Sequence, residues 1–325
     1  MLHIYSAGEK RVSDADLGGG LPGTAVWLDL VDPTREEEAF VERTVGVAIP
    51  TRDEMIEIEP SSRQYRDGEA IVVIASLVGG ARDAKADDAP VLAPVSFVLT
   101  PKHLVTIRYA TPKVFELFGA HFEREPEFCS DATMTLLHLL DAIVDRMADV
   151  LEHVGDEMDR ISRTIFRRGA SKQQRMTNAA LEVLLVRIGR AQDIVSKSRM
   201  SGVSVARLLS FLGTTLDPAE TKEHLDGLAT DVRSLTDHAS YLAGNITFLL
   251  DAALGLINIE QNAIIKIFSV AAVIFMPPTL VASIYGMNFK QMPELSFTFG
   301  YPMALGIMVA SAILPYLFFK NRGWL

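Results

Sequence analysis

Polar residues recur at heptad spacing through a part of the sequence that is otherwise apolar. Asp251, Asn258, Ile265, Ala272 and Thr279 form one row, and Gly255, Asn262, Ser269, Met276 and Ser283 form a second row four residues on. Rows four apart share one face of a gently supercoiled helix. That face is small or polar almost throughout, while Leu254, Leu256, Ile257, Ile259, Ile264 and Ile267 around it are bulky and apolar. At membrane depth, polar groups turn to a protein interior or a water-filled cavity. Two readings follow. Small side chains let helices pack closely, or the face lines a water-filled pore. A single hairpin cannot enclose such a path, so the second reading requires several copies around an axis, with each Asn or Asp repeated as a ring.

A second group is acidic. Asp141, Asp145, Asp149, Glu152, Asp156 and Asp159 are spaced by three or four and fall largely on one helix face. They could hold divalent cations between neighbouring copies, with Asp226 and Asp231 as further candidates, or they could be a solvated surface. The seven histidines, His3, His103, His121, His138, His153, His224 and His238, are scattered and form no Cys/His ligand pattern. No Ser/His/Asp or paired-carboxylate arrangement stands out, and no Gly-x-x-x-x-Gly-Lys-[Ser/Thr] loop is found. An enzyme is not expected.

The elements that must position these groups are legible from hydropathy. Residues 267 to 285 and 297 to 319 each lack a charged side chain, and each run covers the roughly 20 residues that cross a bilayer as helix. A connector, residues 286 to 296, carries only Lys290 and Glu294 as charges, whereas Lys266 and the tail Lys320-Asn321-Arg322-Gly323-Trp324-Leu325 are basic with an interfacial Trp. Positive residues mark the cytoplasmic side, so both termini are expected inside and the connector outside. Upstream, Asp217 and Pro218 signal a helix start, and no further proline occurs before Pro277. An unbroken helix of that length reaches about 90 Å.

The first 125 or so residues read as α/β, with extended runs at 25 to 30, 70 to 75, 95 to 99 and 104 to 107 and a helix from Thr34 to Val45 capped by Thr34 and Glu37. Amphipathic helices follow at 131 to 166 and 171 to 201, separated near Gly169. Such pairs pack as antiparallel hairpins. The expected fold is an α+β membrane protein in four segments: an α/β cytoplasmic domain (1 to 130), a helical hairpin (131 to 216), a long stalk helix (217 to 263) and a transmembrane hairpin (264 to 325). The N-terminus lacks the apolar run of a signal peptide. A net charge of -10 excludes nucleic acid as principal partner. Cys129, the only cysteine, can form no intrachain disulfide.

At the end of the first span the sequence reads Pro277-Pro278-Thr279, then Tyr285-Gly286-Met287-Asn288-Phe289 and Met292-Pro293-Glu294-Leu295. Closing a transmembrane helix after a double proline and preceding a second span, this strongly resembles the CorA family of magnesium channels. Gly255-Leu256-Ile257-Asn258-Ile259-Glu260-Gln261-Asn262 and Ile264-Ile265-Lys266-Ile267-Phe268-Ser269 look like its proteobacterial members. The resemblance implies a funnel-shaped homopentamer in a bacterial inner membrane, with the first span lining the pore and the second forming an outer ring. It implies Mg²⁺ as transported and regulatory ion, with Co²⁺ and Ni²⁺ also carried. Gly286, Met287 and Asn288 would form the external mouth. Thr279, Met276, Asn262 and Asp251 would line the path, with Ile265 and Phe268 at the constriction. Asp251, Asn262, Ile265, Met276 and Thr279 fall on the heptad stripe; Phe268 lies off it. Sensing by acidic residues between cytoplasmic domains would fall to Asp141, Asp145, Asp149, Asp226 or Asp231. The zinc-transporting branch of the superfamily shares these features, and a membrane-anchored sensor of another class would use the hairpin only as an anchor.

Overall fold

The computed structural model describes residues 1–6, 12–13, 20–57, 59–79, 90–125, 128–169, 177–288, 292–293 and 297–324. The chain divides into two compact units, Met1–Leu250 and Asp251–Leu325.

The first unit is built on a seven-stranded sheet. Its strands are β1 (Leu2–Ser6), β2 (Val12–Ser13), β3 (Ala25–Val31), β4 (Gln64–Asp67), β5 (Ala70–Gly79), β6 (Val91–Leu99) and β7 (Leu104–Arg108), in the order β2-β1-β3-β7-β6-β5-β4. Only β3 and β7 pair in parallel; every other pairing is antiparallel. All four strands read from the sequence are present. β1, β2 and β4 went unread because each is short and owes its extended form to a partner, β3, β1 and β5 respectively.

Alternation sorts the strand residues onto two faces. Leu28, Leu30, Val72, Ile74, Val98, Val105 and Ile107 bury one face with Phe40 and Val41 of α1 (Arg35–Val45) and Met55 of α2 (Arg52–Ile56). Helix α1 starts as expected: Thr34 accepts from the Glu37 amide while Glu37 accepts from the Thr34 amide. A short α3 (Pro60–Arg63) leads into β4. On the opposite face, Trp27 stacks on Tyr5 at 4.1 Å between centroids and meets Phe118 and Phe122 of α4 (Lys113–Arg124). Gly119 of α4 is required here, since a Cβ would lie against the Tyr5 hydroxyl. Helix α4 was not anticipated, although its row Val114, Phe115, Phe118 and Phe122 is buried and has helical spacing.

The helical hairpin consists of α5 (Ala132–Gly169) and α6 (Asn178–Thr215). Arg187 meets Glu157 at 2.6 Å near one end, and Gly202 lies beside Met147 further along, so the two run antiparallel. Helix α6 continues fourteen residues past the expected stop at Ser201. Gly202 within it makes room for Thr236, whose hydroxyl a Cβ would meet at 2.7 Å. Residues 171 to 176 lie outside those described.

Helix α7 (Pro218–Tyr285) begins where Asp217 caps it: Ala219 donates its amide to Asp217 Oδ1 at 3.0 Å. It runs without a break through both prolines. In the first unit it buries Leu225, Leu228, Val232, Ala239, Leu242, Ile246 and Leu249, a seam with the three- and four-residue spacing of helix packing. The second unit holds the remainder of α7 and α8 (Gly300–Asn321). Both helices are long and apolar enough to cross a membrane.

Candidate functional site

Along α7 in the second unit, Asp251, Asn258, Asn262, Ile265, Ser269, Ala272, Met276, Thr279 and Ser283 are all exposed. Exposure does not single them out, because the lipid-type residues Ile267, Phe275 and Leu280 are equally bare in one chain. What distinguishes the row is chemistry and spacing. An exact seven-residue repeat drifts about 20° per heptad on a straight helix, so from Asp251 to Thr279 the stripe turns by about 80°. Phe268, 71 % exposed, stands about 60° from Ile265 at 100° per residue and borders the stripe.

Pro277 and Pro278 lack amide protons, so the carbonyls of Val273 and Ile274 lose their helical donors. Hydroxyls reinforce the next turns: Thr279 Oγ1 donates to the Phe275 carbonyl and Ser283 Oγ to the Thr279 carbonyl, each at 2.8 Å. With their protons committed inward, these hydroxyl oxygens keep lone pairs for water or cations.

The helix closes at Gly286, whose amide donates to the Ala282 carbonyl at 2.9 Å; Met287 then donates to Ile284. A Cβ at Gly286 would stand 3.1 Å from the Ala282 oxygen, closer than carbon and oxygen comfortably pack, so glycine lets the chain leave tightly. Met287 and Asn288 are exposed beyond it. The carbonyl end of α7 carries about half a negative charge, which favours cations at this turn. Phe289, Lys290 and Glu294 lie outside the described residues.

At the other end of the first span, Lys266 Nζ donates to the Gly323 carbonyl at 3.3 Å and lies 5.2 Å from the centre of the Trp324 ring. Sequence spacing gave no sign of this contact, which joins residues 57 apart.

In the first unit, Asp141, Asp145 and Asp149 of the acidic row line a cleft of about 330 Å³ together with Leu117, Phe128 and His138, while Glu152, Asp156 and Asp159 are exposed outside it. Burial pushes the Asp145 carboxyl up, and Asp141, Asp149 and Asp231 add to the rise. Asp231 of α7 is thus brought to the row on α5. Asp226 is exposed, and no interaction joins it to the others. His224 Nε2 stands 2.7 Å from Asp141 Oδ2, and Arg146 reaches Asp149 at 3.8 Å. His138 stacks on Phe128 at 3.8 Å, its pKa lowered mainly by burial. These histidines looked scattered because they come from different helices. Among the described residues, no three His, Cys, Asp or Glu side chains of one chain gather as a metal site.

A further network was missed. Asp29 is 1 % exposed, and a carboxylate within the otherwise apolar run of β3 was its only signal in the sequence. It accepts from Arg108 Nε and Nη2 at 3.1 and 2.8 Å and from Thr106 Oγ1 at 2.7 Å, and Thr106 in turn accepts from Trp27 Nε1. This locks β3 to β7 and does no evident chemistry.

The chain matches the family model described as CorA-like Mg2+ transporter protein over residues 22–321. It is 37 % identical to the magnesium transport protein CorA of Pasteurella multocida, 35 % to that of Escherichia coli K12 and 34 % to that of Haemophilus influenzae, in each case over all of both chains. In fold it is similar to the CorA magnesium transporter from Methanocaldococcus jannaschii, with a TM-score of 0.76 at 19 % identity over 100 % of this chain and 99 % of that one. It is more distantly similar to the cytoplasmic domain of ZntB from Vibrio parahaemolyticus, with a TM-score of 0.51 at 8 % identity over 80 % and 98 %. At those identities the structural likeness concerns the fold alone.

Proposed function

The chain belongs to the CorA-like Mg²⁺ transporter family, and on that basis we propose that it forms a homopentameric, funnel-shaped channel admitting Mg²⁺ across a bacterial inner membrane. Co²⁺ and Ni²⁺ are carried less selectively by the same path. The observation that carries this reading is the exposed stripe on α7, which continues to the Gly286-Met287-Asn288 turn. Polar side chains at that depth need water or protein to face, and a ring of copies supplies both.

In this reading Asn288 gathers the hydrated ion at the mouth. Neutral amide oxygens suit Mg²⁺, which dehydrates reluctantly and keeps its waters. Thr279 and Met276 follow, Ile265 and Phe268 narrow the path, and Asn262 and Asp251 receive the ion on the cytoplasmic side. A stripe that turns along a straight helix needs helices tilted about the axis to keep it facing inward. Moving a dication down the potential releases roughly 4.6 kcal/mol per 100 mV, twice the single-charge value. No chemical energy source is needed.

Closure follows from internal Mg²⁺ bridging the row Asp141, Asp145, Asp149 and Asp231 to a neighbouring copy, with Asp226 a separate candidate. Support comes from the raised Asp145 carboxyl, because crowded carboxylates are stabilised by a bound dication. The gate itself falls between Asn262 and Met276. Mg²⁺ flux into proteoliposomes under an imposed potential tests the whole reading, with Co²⁺ and Zn²⁺ as competitors. Flux of Zn²⁺ that requires a pH gradient would move the protein to the zinc-transporting branch.

A further inference from the structure

The C-terminal tail is folded into a collar. Gly323 takes the left-handed conformation, with φ of 68°, and the Trp324 amide donates to the Phe319 carbonyl at 3.0 Å, the closing bond of a Schellman turn. That turn lays Trp324 on Phe319, with ring centres 5.4 Å apart, and brings its face over the Lys266 ammonium of α7.

Two more cations complete the collar. Lys320 lies 6.0 Å from the Tyr316 ring centre and Arg322 5.7 Å from that of Phe318. All three cations rest on aromatic faces, and no ion pair joins them to a carboxylate among the described residues. After Glu260 the sequence contains one acidic residue, Glu294. It comes before α8 in the sequence, whereas Lys320 stands in the last turn of that helix. Three positive charges therefore stand at one end of an apolar helix inside a protein whose net charge is -10.

Beside them, Leu314, Leu317 and Phe318 are exposed, at 68 %, 47 % and 58 %. An anion that suits this place has a phosphate for the cations and hydrocarbon for the adjoining helix face. A soluble phosphate satisfies only the first. We infer that Lys266, Lys320, Arg322 and Trp324 form a headgroup site for an anionic phospholipid of the cytoplasmic leaflet, an inference that rests on reading α7 and α8 as membrane spans. Lys266 adjoins Ile265, so a bound headgroup ties the inner end of the first span to the tail of α8.

The chain's two tryptophans make the test direct, because Trp27 is fully buried in the first unit while Trp324 is 49 % exposed. The full-length protein is reconstituted in phosphatidylcholine bilayers containing equal fractions of brominated phosphatidylcholine or brominated phosphatidylglycerol, and tryptophan quenching is measured. The anionic lipid should be enriched at Trp324 by about fivefold or more, the factor contributed by even one interfacial cation. Lys266→Gln/Lys320→Gln/Arg322→Gln should abolish the preference, Arg322→Gln alone should reduce it, and Lys320→Arg should retain it. Equal quenching by both lipids in the unaltered protein overturns the site and leaves the spans standing. Quenching by neither overturns both. Relief of quenching by millimolar glycerol phosphate also overturns the inference, since acyl chains would then contribute nothing.

Discussion

Replacing Asn288 by Ala tests the assignment of the mouth most directly. Asn288 is exposed two residues beyond the Gly286 turn, so truncation disturbs no core packing and leaves the α7 carbonyl end in place. Each lost amide oxygen removes one hydrogen bond to a water polarised by a dication. Bonds to charged groups contribute about 1.5 to 3 kcal/mol, and about 1.4 kcal/mol is a factor of ten. The loss of a single such bond at the mouth therefore lowers ion occupancy at least about tenfold. The potential-driven term is unchanged, so Mg²⁺ influx into proteoliposomes at sub-saturating Mg²⁺ should fall at least about tenfold and recover in part at high Mg²⁺. Asn288→Asp should behave differently, raising apparent affinity while slowing maximal flux, because a carboxylate ring retains the ion. The assay uses a Mg²⁺-sensitive dye inside vesicles with a K⁺ diffusion potential. Wild-type flux through Asn288→Ala would refute the channel mouth and leave the hairpin as the anchor of a sensor.

Three further outcomes are expected. Burial pushes Asp145 up, and Asp141, Asp149 and Asp231 add to it, so its ionised form costs stability, a cost relieved as pH falls through the raised folded value. Melting in chelator should accordingly rise on mild acidification. Asp145→Asn should remove that rise, lift the melting temperature by about one to two degrees through two like-charge i,i+4 contacts of about 0.2 to 0.5 kcal/mol each, and shrink the further increase that Mg²⁺ gives; an unchanged Mg²⁺ shift removes Asp145 from the regulatory set. Arg108→Met leaves the buried Asp29 carboxylate without its bidentate partner and should destabilise the protein by about 3 to 5 kcal/mol in urea unfolding, whereas Asp29→Leu/Arg108→Met should lose much less. Burial pushes the Cys129 thiol up to about 11, so maleimide at pH 7.5 should modify it only on unfolding, and an Asn288→Cys variant should label at position 288 alone; rapid labelling of the unaltered folded chain contradicts that burial.

The sequence alone determined what depends on local pattern. Two uncharged runs sufficient to span a bilayer, the Thr34 and Asp217 caps, four β-branched strands and the heptad stripe of α7 are properties of residues near one another in the chain, and each element formed as its spacing required. The Gly286-Met287-Asn288 turn was equally visible, because its meaning comes from closing an apolar helix. Tertiary structure decided what depends on distant partners. β1 and β4 exist because β3 and β5 offer them ladders, and Gly202 continues a helix because Thr236 needs its space. Asp231 joins Asp145, His224 meets Asp141, and Lys266 meets the Gly323 carbonyl, across 83 and 57 residues for the last two pairs. Long-range contacts leave no periodic trace, since either partner alone is an ordinary surface charge. The stripe itself stands between the two cases: its residues are legible in one chain, but in the proposed pentamer what they face would depend on the neighbouring copies.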